Sequence, residues 1–293
     1  MTDENEYRFL AEEAQEVGRA TPLPPVDRVD VRVGDGVVSA LRWGAGAPQL
    51  TLLHGAALNA HTWDSTLLAL DRPAIAIDLP GHGRSSWRDD FDYGPVRTAE
   101  AVAAVLDDQA PGSPQVVVGQ SLGGLTAIAL AEHRPDLVSA VVVVDASPGL
   151  RVGDARQVSD FLAGPNVFPD RDTIVDRAIA AGIGTDRHRI ARGVELNTRV
   201  RDDGNVVWSH HLASPPAELG PVPVLDAGWE GLTESDVPVL LVRARGGFLR
   251  PEAVTEFRER VPRAVVVETD TGHNVQEQEP AELARLIAAF AAG

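Results

Sequence analysis

The run VVVGQSLGG, residues 116–124, is the stretch of this sequence that decides its fold. Its consecutive valines indicate a strand buried on both faces, and the helix-forming stretch Leu125–Glu132 follows directly. Glycines flank Ser121 on both sides, as a tight strand-to-helix turn requires, because such a turn crowds the backbone. The turn is typical of a nucleophilic serine: it exposes the Ser121 hydroxyl and directs the amide N–H of Leu122 at a developing oxyanion. An ordinary glycine-rich turn is the alternative, but the strand before it and the helix after it favour catalysis.

Short apolar runs recur on both sides of this turn, and most are followed by a helical stretch. A hairpin joined by GDG at 34–36 comes first. Strands that alternate with helices imply crossover connections and a doubly wound sheet, so the sequence predicts an α/β fold with a mostly parallel sheet of about eight strands. The predicted strands are 28–33, 37–43, 49–53, 74–77, 115–118, 140–144, 239–242 and 264–267.

The partners of Ser121 are expected just beyond other strand ends, because ligands of such sheets bind outside the carboxyl ends of the strands. His273 directly follows the last predicted strand and therefore lies on the same edge as Ser121, so we expect it to be the general base. The loop after the first strand of the alternating region reads LHGA at 53–56. Its most direct contribution is the backbone N–H of Ala56 as a second oxyanion donor, with His54 in a structural role.

The chain divides into three predicted parts. Residues 1–25 form a helical appendage, with an acidic helix over 4–17 broken by TPLPP at 21–25. Residues 26–146 and 236–293 form the core. Residues 147–235 show no clear buried strand and are too long for a loop, so we predict a mostly helical lid. Trp63, Phe161, Phe168 and Trp208 are candidates for an apolar substrate pocket; packing of lid against core is the alternative for each.

Composition narrows the function. The net charge of −17 argues against binding to nucleic acid or to an anionic membrane, since both favour basic proteins. No cysteine is present, which excludes disulfides and thiolate chemistry. The first 20 residues are acidic and lack the apolar core of a signal peptide, and no apolar run reaches the length of a membrane span. A cytoplasmic enzyme with a small-molecule substrate, without metal or cofactor, is therefore expected.

Four motifs resemble the α/β-hydrolase superfamily, most of all its cofactor-free esterase, lactonase and perhydrolase-type members. They are LHG at 53–55, DLPGHGRS at 78–85, GQSLGG at 119–124 and GH at 272–273. The resemblance runs from about Arg28 to the C-terminus. It implies an α/β-hydrolase fold with a triad of serine, acid and histidine, in which the nucleophile comes first and the histidine last in the chain. It also implies that Asp78 positions a structural loop near the site and is not catalytic.

The acid of that triad is not where the family usually has it. The matching position, four residues before Pro251, is Gly247, and no carboxylate lies between Arg243 and Arg250. A histidine without an orienting carboxylate loses about four orders of magnitude in rate, so a substitute is expected. Asp145, at the end of the strand next to that of the nucleophile, is the first candidate, as in relatives that carry the acid there. Asp270 ranks second, and a Ser-His dyad is the third possibility.

The predicted reaction is hydrolysis of an ester or related acyl bond in a small, largely apolar substrate. A nucleophilic serine argues against haloalkane dehalogenase and epoxide hydrolase activity, because those relatives use aspartate at this position. A carbon–carbon bond hydrolase stays open as an alternative. So does a repurposed, non-hydrolytic fold, which the glycine at 247 would support.

Overall fold

The computed structural model describes residues 6–149, 164–213 and 228–292. The helices and strands alternate over most of the chain, as the apolar runs predict. The strands are β1 (Val26–Val33), β2 (Gly36–Trp43), β3 (Leu50–Leu53), β4 (Ala74–Ile77), β5 (Gln115–Gln120), β6 (Val138–Val144), β7 (Val167–Phe168), β8 (Thr198–Val200), β9 (Val206–Trp208), β10 (Val239–Gly246) and β11 (Val265–Gly272). The helices are α1 (Leu10–Glu16), α2 (Asp64–Leu70), α3 (Pro95–Gln109), α4 (Leu122–His133), α5 (Arg171–Ala180), α6 (Arg187–Leu196), α7 (Trp229–Glu234), α8 (Pro251–Arg260), α9 (Val275–Gln278) and α10 (Pro280–Ala291).

The main sheet has eight strands in the order β1-β2-β4-β3-β5-β6-β10-β11. The first three strands of that order pair antiparallel and the remaining pairs are parallel. The predicted α/β fold with a doubly wound, mostly parallel sheet is confirmed. The register sets Leu53 beside Gly119, Gly119 beside Val143, and Val144 beside Val242. The segments that follow β3, β5, β6 and β10 therefore leave the sheet side by side.

Both faces of the sheet are covered, which explains why the valine runs do not alternate with polar residues. Val117, Val141 and Val143 face a cluster that includes residues of α3 and α4. The valines that alternate with them along β5 and β6, Val118 and Val142, face a second cluster that includes residues of α2 and α10. Each fully buried valine or leucine contributes roughly 1.5–3 kcal/mol to folding, so neither face tolerates exposure.

The segment 147–235 contains helices and also a small sheet that the sequence pattern does not indicate. Helices α5 and α6 begin at aspartates whose side chains cap the helix, Asp170 and Asp186. Strands β7, β9 and β8 form an antiparallel sheet of three strands. Strands of two or three residues are too short for a recognisable alternation of polar and apolar residues. The predicted helix over 156–163 and the proline-rich stretch 214–223 lie outside the described residues.

The N-terminal helix α1 begins at Leu10, and residues 6–9 before it form a turn, so the helix is shorter than the predicted 4–17. The predicted start at Glu4 lies outside the described residues. Leu10 and Ala14 are buried in the same apolar cluster as Trp43. The division into appendage, core and lid stays a prediction. Within the described ranges, no helix is long and apolar enough to cross a bilayer.

Candidate active site

Ser121 lies in a strained turn between β5 and α4. Its φ of 51° and ψ of −117° are unfavourable for a residue with a side chain, and its hydroxyl does not cap the helix. The turn closes because its neighbours lack side chains: a Cβ on Gly119 would overlap the carbonyl oxygen of Gly123, and a Cβ on Gly123 would overlap that of Leu53. The amide of Ser121 donates to Val144 at 3.0 Å, which fixes the turn against β6.

Asp145 and His273 come together at the ends of β6 and β11. Oδ2 of the fully buried Asp145 carboxylate lies 2.7 Å from Nδ1 of His273. Oδ2 also accepts a hydrogen bond from the amide of Phe248 at 2.8 Å, and Oδ1 accepts one from the amide of Ala244 at 3.1 Å. These three contacts hold the carboxylate in one orientation. A proton on Nδ1 that donates to Asp145 leaves Nε2 of the imidazole as the proton acceptor.

Gly247 occupies the position where the family usually has its acid, and Asp145 fills the space above it. A Cβ on Gly247 would overlap Oδ2 of Asp145 and would lie 2.6 Å from its Cγ. A side chain at 247 and the observed orientation of Asp145 therefore exclude each other. Asp145, which follows β6, therefore puts its carboxylate in the space that a side chain at position 247, after β10, would fill.

Two other carboxylates follow or end β11, and the structure gives each of them different partners. Asp270 is largely exposed (82 % of its side chain) and pairs with Arg245 at 2.5 Å. The structure therefore does not bring the second candidate acid to the imidazole. Glu277 accepts hydrogen bonds from the hydroxyl of Thr62 at 2.7 Å and from the side-chain amide of Asn274 at 3.1 Å, so both of its oxygens are occupied.

The proposed oxyanion donors lie on the loop after β3 and at the start of α4. A Cβ on Gly55 would lie 3.3 Å from Cβ of Ser121, so the loop runs directly beside the nucleophile. Within the described ranges, the amide N–H of Ala56 donates no hydrogen bond. The amide of Leu122 belongs to the first turn of α4, where N–H groups have no acceptor within the helix.

Two buried histidines support that loop from below. The backbone amide of Leu79 donates to Nε2 of His54 at 2.9 Å, and that of Ala57 donates to Nε2 of His82 at 3.0 Å. Burial lowers the pKa of His54 to about 4. Both rings are therefore neutral hydrogen-bonding groups, which agrees with the structural role expected for His54.

Local sequence patterns do not single out two residues that contact His273. The ring of Phe248 stacks on the imidazole with ring centres 3.7 Å apart and planes 25° apart. Gln120, directly before Ser121, donates from Nε2 to the carbonyl of His273 at 3.3 Å. Gln120 thus connects the nucleophile turn to the histidine loop. Its position next to Ser121 was the only available hint, while Phe248 becomes noticeable only once Gly247 is known to contact Asp145.

The aromatic residues expected in the substrate pocket are buried among other side chains, as far as the structure describes them. Trp63 is fully buried in the core beneath the sheet. Phe168 and Trp208 are buried in a cluster of the 147–235 segment and pack edge to face, 5.8 Å between ring centres. The packing interpretation is therefore the one we adopt for these three. Phe161 lies outside the described residues.

Potential metal ligands come together at one surface point of the described residues. Ligand atoms of Glu12, Glu16 and His188 lie within 4.8 Å of one another. The guanidinium of Arg192 already lies 3.4 Å from Glu12 and 3.1 Å from Glu16. A second guanidinium, that of Arg189, lies 3.5 Å from Glu16, so both carboxylates already have cationic partners.

Comparison with known proteins shows the family of this chain. Residues 52–286 match the model of the alpha/beta hydrolase family. The chain is 38% identical over 296 residues to esterase Rv0045c of Mycobacterium tuberculosis, covering 98% of this chain and 96% of that protein. A crystal structure of that esterase superposes over the full length of both chains with a TM-score of 0.83. A pimeloyl-[acyl-carrier protein] methyl ester esterase of Klebsiella pneumoniae is 44% identical over 215 residues, 71% of this chain and 75% of that protein.

Proposed function

Because this chain belongs to the alpha/beta hydrolase family, we propose that it hydrolyses carboxylic esters through an acyl-enzyme on Ser121, with His273 as base and Asp145 as acid. The observation that carries the proposal is the 2.7 Å contact between the Asp145 carboxylate and Nδ1 of His273. Ester hydrolysis as the class of reaction rests on the esterase relatives, which match nearly the whole chain.

The reaction proceeds in two acyl-transfer steps. Nε2 of His273 takes the hydroxyl proton of Ser121 while Oγ attacks the ester carbonyl. The amides of Leu122 and Ala56 donate to the oxyanion, and each such donor is worth about two to three orders of magnitude in rate. The protonated His273 then gives its proton to the departing alcohol. A water molecule, deprotonated by His273, releases the acid from Ser121.

Asp145 and Phe248 hold His273 for both steps. Asp145 fixes the proton on Nδ1 and stabilises the imidazolium that forms when Nε2 is protonated. Phe248 lies flat against the imidazole, so a rotation of the ring out of the Asp145 contact would displace a packed neighbour. The glycine at 247 would favour a repurposed, non-hydrolytic fold only if no carboxylate reached His273, and that of Asp145 lies 2.7 Å from its Nδ1.

The substrate that we propose is a small ester with an apolar acyl group. Three half-buried residues near the reacting atoms are apolar: Leu122 follows Ser121, Phe248 stacks on His273, and Ala56 belongs to the loop beside Ser121. Such surfaces gain free energy by covering apolar atoms of a ligand.

We also propose that residues 147–235 act as the lid of this site. The described part of this segment contacts the loops at the carboxyl edge of the sheet. The amide of His211 donates to the carbonyl of Gly81 at 2.8 Å, and the side-chain amide of Asn59 donates to the carbonyl of Leu196 at 2.8 Å. The predicted cytoplasmic location stays a prediction.

Covalent labelling tests the proposed function directly. A fluorophosphonate should add once per chain to the wild-type protein, as measured by intact mass, and Ser121→Ala should abolish the adduct and the hydrolysis of p-nitrophenyl esters. Asp145 and His273 are untouched in this variant, so its fold can be checked independently by circular dichroism. An unlabelled wild-type protein would refute the proposal. A panel of p-nitrophenyl esters graded by acyl length then measures the preference for apolar acyl groups.

A further inference from the structure

The N-terminal strap, which we define as residues 6–19, packs on the core and on the lid segment at once. Leu10 and Ala14 are buried in the apolar cluster of the core. At the end of the strap, Arg19 donates to the carbonyl of Leu68 at 2.8 Å and pairs with the half-exposed Asp71 at 2.7 Å. The strap also makes ion pairs with the core and with the lid segment through its glutamates.

Glu6 carries a charge into the interior, with a side chain that is only 2% exposed. Its Oε2 lies 2.9 Å from Arg28, 3.1 Å from Arg84 and 3.4 Å from Nε2 of His61. Burial alone would raise the pKa of Glu6, but hydrogen bonds from His61 and Arg28 lower it to about 2. Burial alone would likewise lower the pKa of His61, whereas Asp64 and Glu6 raise it to about 9. Glu6 is thus an anion that balances buried cations at neutral pH.

Arg28 connects Glu6 to the turn that follows the oxyanion loop. Its Nη1 donates to Oδ2 of Asp78 at 2.8 Å. The other oxygen of Asp78 accepts a hydrogen bond from the amide of Ala60 at 2.8 Å. Ala60 lies four residues after Ala56, and His61, which Glu6 contacts directly, comes next. Two routes therefore lead from one buried carboxylate to the same turn.

The strap also holds the lid helix that contacts this turn. Asn59, immediately before Ala60, binds the carbonyl of Leu196 at the end of α6. On the same helix, Arg192 lies 2.8 Å from Glu13 and 3.1 Å from Glu16 of the strap. The strap therefore fixes both the turn and the helix against which Asn59 is held.

We propose that the strap positions the oxyanion loop and that Glu6 is the positioning residue through which it acts. The inference rests on the proposed function, since it presupposes that Ala56 is an oxyanion donor. Without the charge at position 6, the guanidinium of Arg28 loses the carboxylate that its Nε and Nη2 bind. Its orientation against Asp78 is then less fixed, and so is the acceptor of the turn at Ala60. Misplacing a donor by about 1 Å costs up to two orders of magnitude in rate.

The test compares Glu6→Gln, which removes the charge and keeps the shape, with Asp71→Asn, which breaks another ion pair of the strap, away from the oxyanion loop. Asp71 has a φ of 50°, a conformation that asparagine adopts well, so this control keeps its fold. We expect Glu6→Gln to lower kcat for a p-nitrophenyl ester about 10- to 100-fold while KM stays within about twofold. Asp71→Asn should stay within about twofold of wild type in both constants.

A boronic acid gives a readout that a merely structural role would leave unchanged. It forms a tetrahedral adduct with a nucleophilic serine and depends on the oxyanion donors, whereas the product carboxylic acid does not mimic the transition state. In Glu6→Gln, the inhibition constant of phenylboronic acid should rise by the same factor by which kcat falls, and that of the product acid should not change.

Each outcome decides the matter. A folded Glu6→Gln variant with wild-type kcat, or an equal loss in Asp71→Asn, overturns the role of Glu6. If Glu6→Gln is unfolded at the assay temperature, Glu6→Asp takes its place, because it keeps the charge but shortens its reach; wild-type kcat in that variant would equally overturn the role. A wild-type protein without esterase activity or fluorophosphonate labelling is a different result, since it refutes the proposed function instead.

Discussion

The nucleophile side and the acid side of the candidate site are built on different principles, although both residues follow neighbouring strands. Ser121 and Asp145 have similar φ values, 51° and 48°. At Ser121 the path of the backbone is what matters, because the turn has no space for Cβ atoms at positions 119 and 123. At Asp145 the position of the two carboxylate oxygens is what matters, and more than one backbone position can provide it.

The difference explains which residue could move. A nucleophile that depends on a strained turn and a helix start has one possible location in the sheet. A carboxylate that must reach Nδ1 of His273 can come from β6 or from β10, since these strands are neighbours. In this chain the carboxylate follows β6, as Asp145, and the corresponding position after β10 is Gly247.

The largest effect is expected when the acid side is broken directly. Asp145→Asn should lower kcat for p-nitrophenyl acetate by about two to four orders of magnitude, because His273 then loses the anion that fixes its tautomer. Asp270→Asn is the matched control and should stay near the wild-type rate, since Asp270 binds Arg245 at the surface. Equal rates in wild type and Asp145→Asn would return the acid role to another residue or to none.

A smaller effect is expected when the space of the carboxylate is filled. Gly247→Ala should lower kcat about 10- to 100-fold, because its Cβ forces Asp145 out of its contact with His273. Gly193→Ala is the control for the same substitution; no atom lies within 4 Å of a Cβ placed there.

The same space sharpens the comparison when the acid is moved. Asp145→Gly combined with Gly247→Asp should recover at least about tenfold of the kcat that Asp145→Gly alone loses. Failure of this double variant to exceed the single one would show that the carboxylate needs the backbone of β6 after all.

The smallest effect concerns the strap that supports the nucleophile side. Burial and the charge of Asp64 raise the pKa of Glu13 to about 8, although Arg192 is close by. The folded protein therefore keeps a proton that the unfolded chain releases near its usual pKa of 4.5. The stability due to this proton is complete below pH 4.5 and is lost as the pH rises to about 8.

Urea unfolding at pH 5, 7 and 9 measures this loss. The free energy of unfolding of the wild type, relative to that of Glu13→Gln, should fall from pH 5 to pH 7 and by a smaller amount from pH 7 to pH 9. A constant difference would mean that Glu13 is ionised throughout and acts only as a partner of Arg192.

The parts of the fold that could be predicted are those written in local sequence. The runs of buried valines and the glycines around Ser121 act over a few residues, and the resulting sheet is confirmed. The strands of the small second sheet could not be predicted, because two or three residues show no period. Asp145 is a candidate for the acid only because position 247, where the family usually has a carboxylate, is a glycine.

The contacts that escaped prediction join residues far apart in the chain. Phe248 and His273 follow two neighbouring strands, β10 and β11, and stack on each other. A glutamate such as Glu6 is normally predicted to lie at the surface. Its burial depends on cations 22, 55 and 78 positions further along the chain. No local pattern records such a balance of charge, so the strap reads as an appendage in the sequence.

The overlap between a Cβ at 247 and the Asp145 carboxylate has a consequence for how relatives of this chain are aligned. An alignment compares positions 247 and 145 in separate columns, although in this chain the two positions meet at one place in space. Chains set aside as inactive for lack of an acid at the first position should be inspected at the second. A glycine in the one column together with an aspartate in the other is the signature to search for.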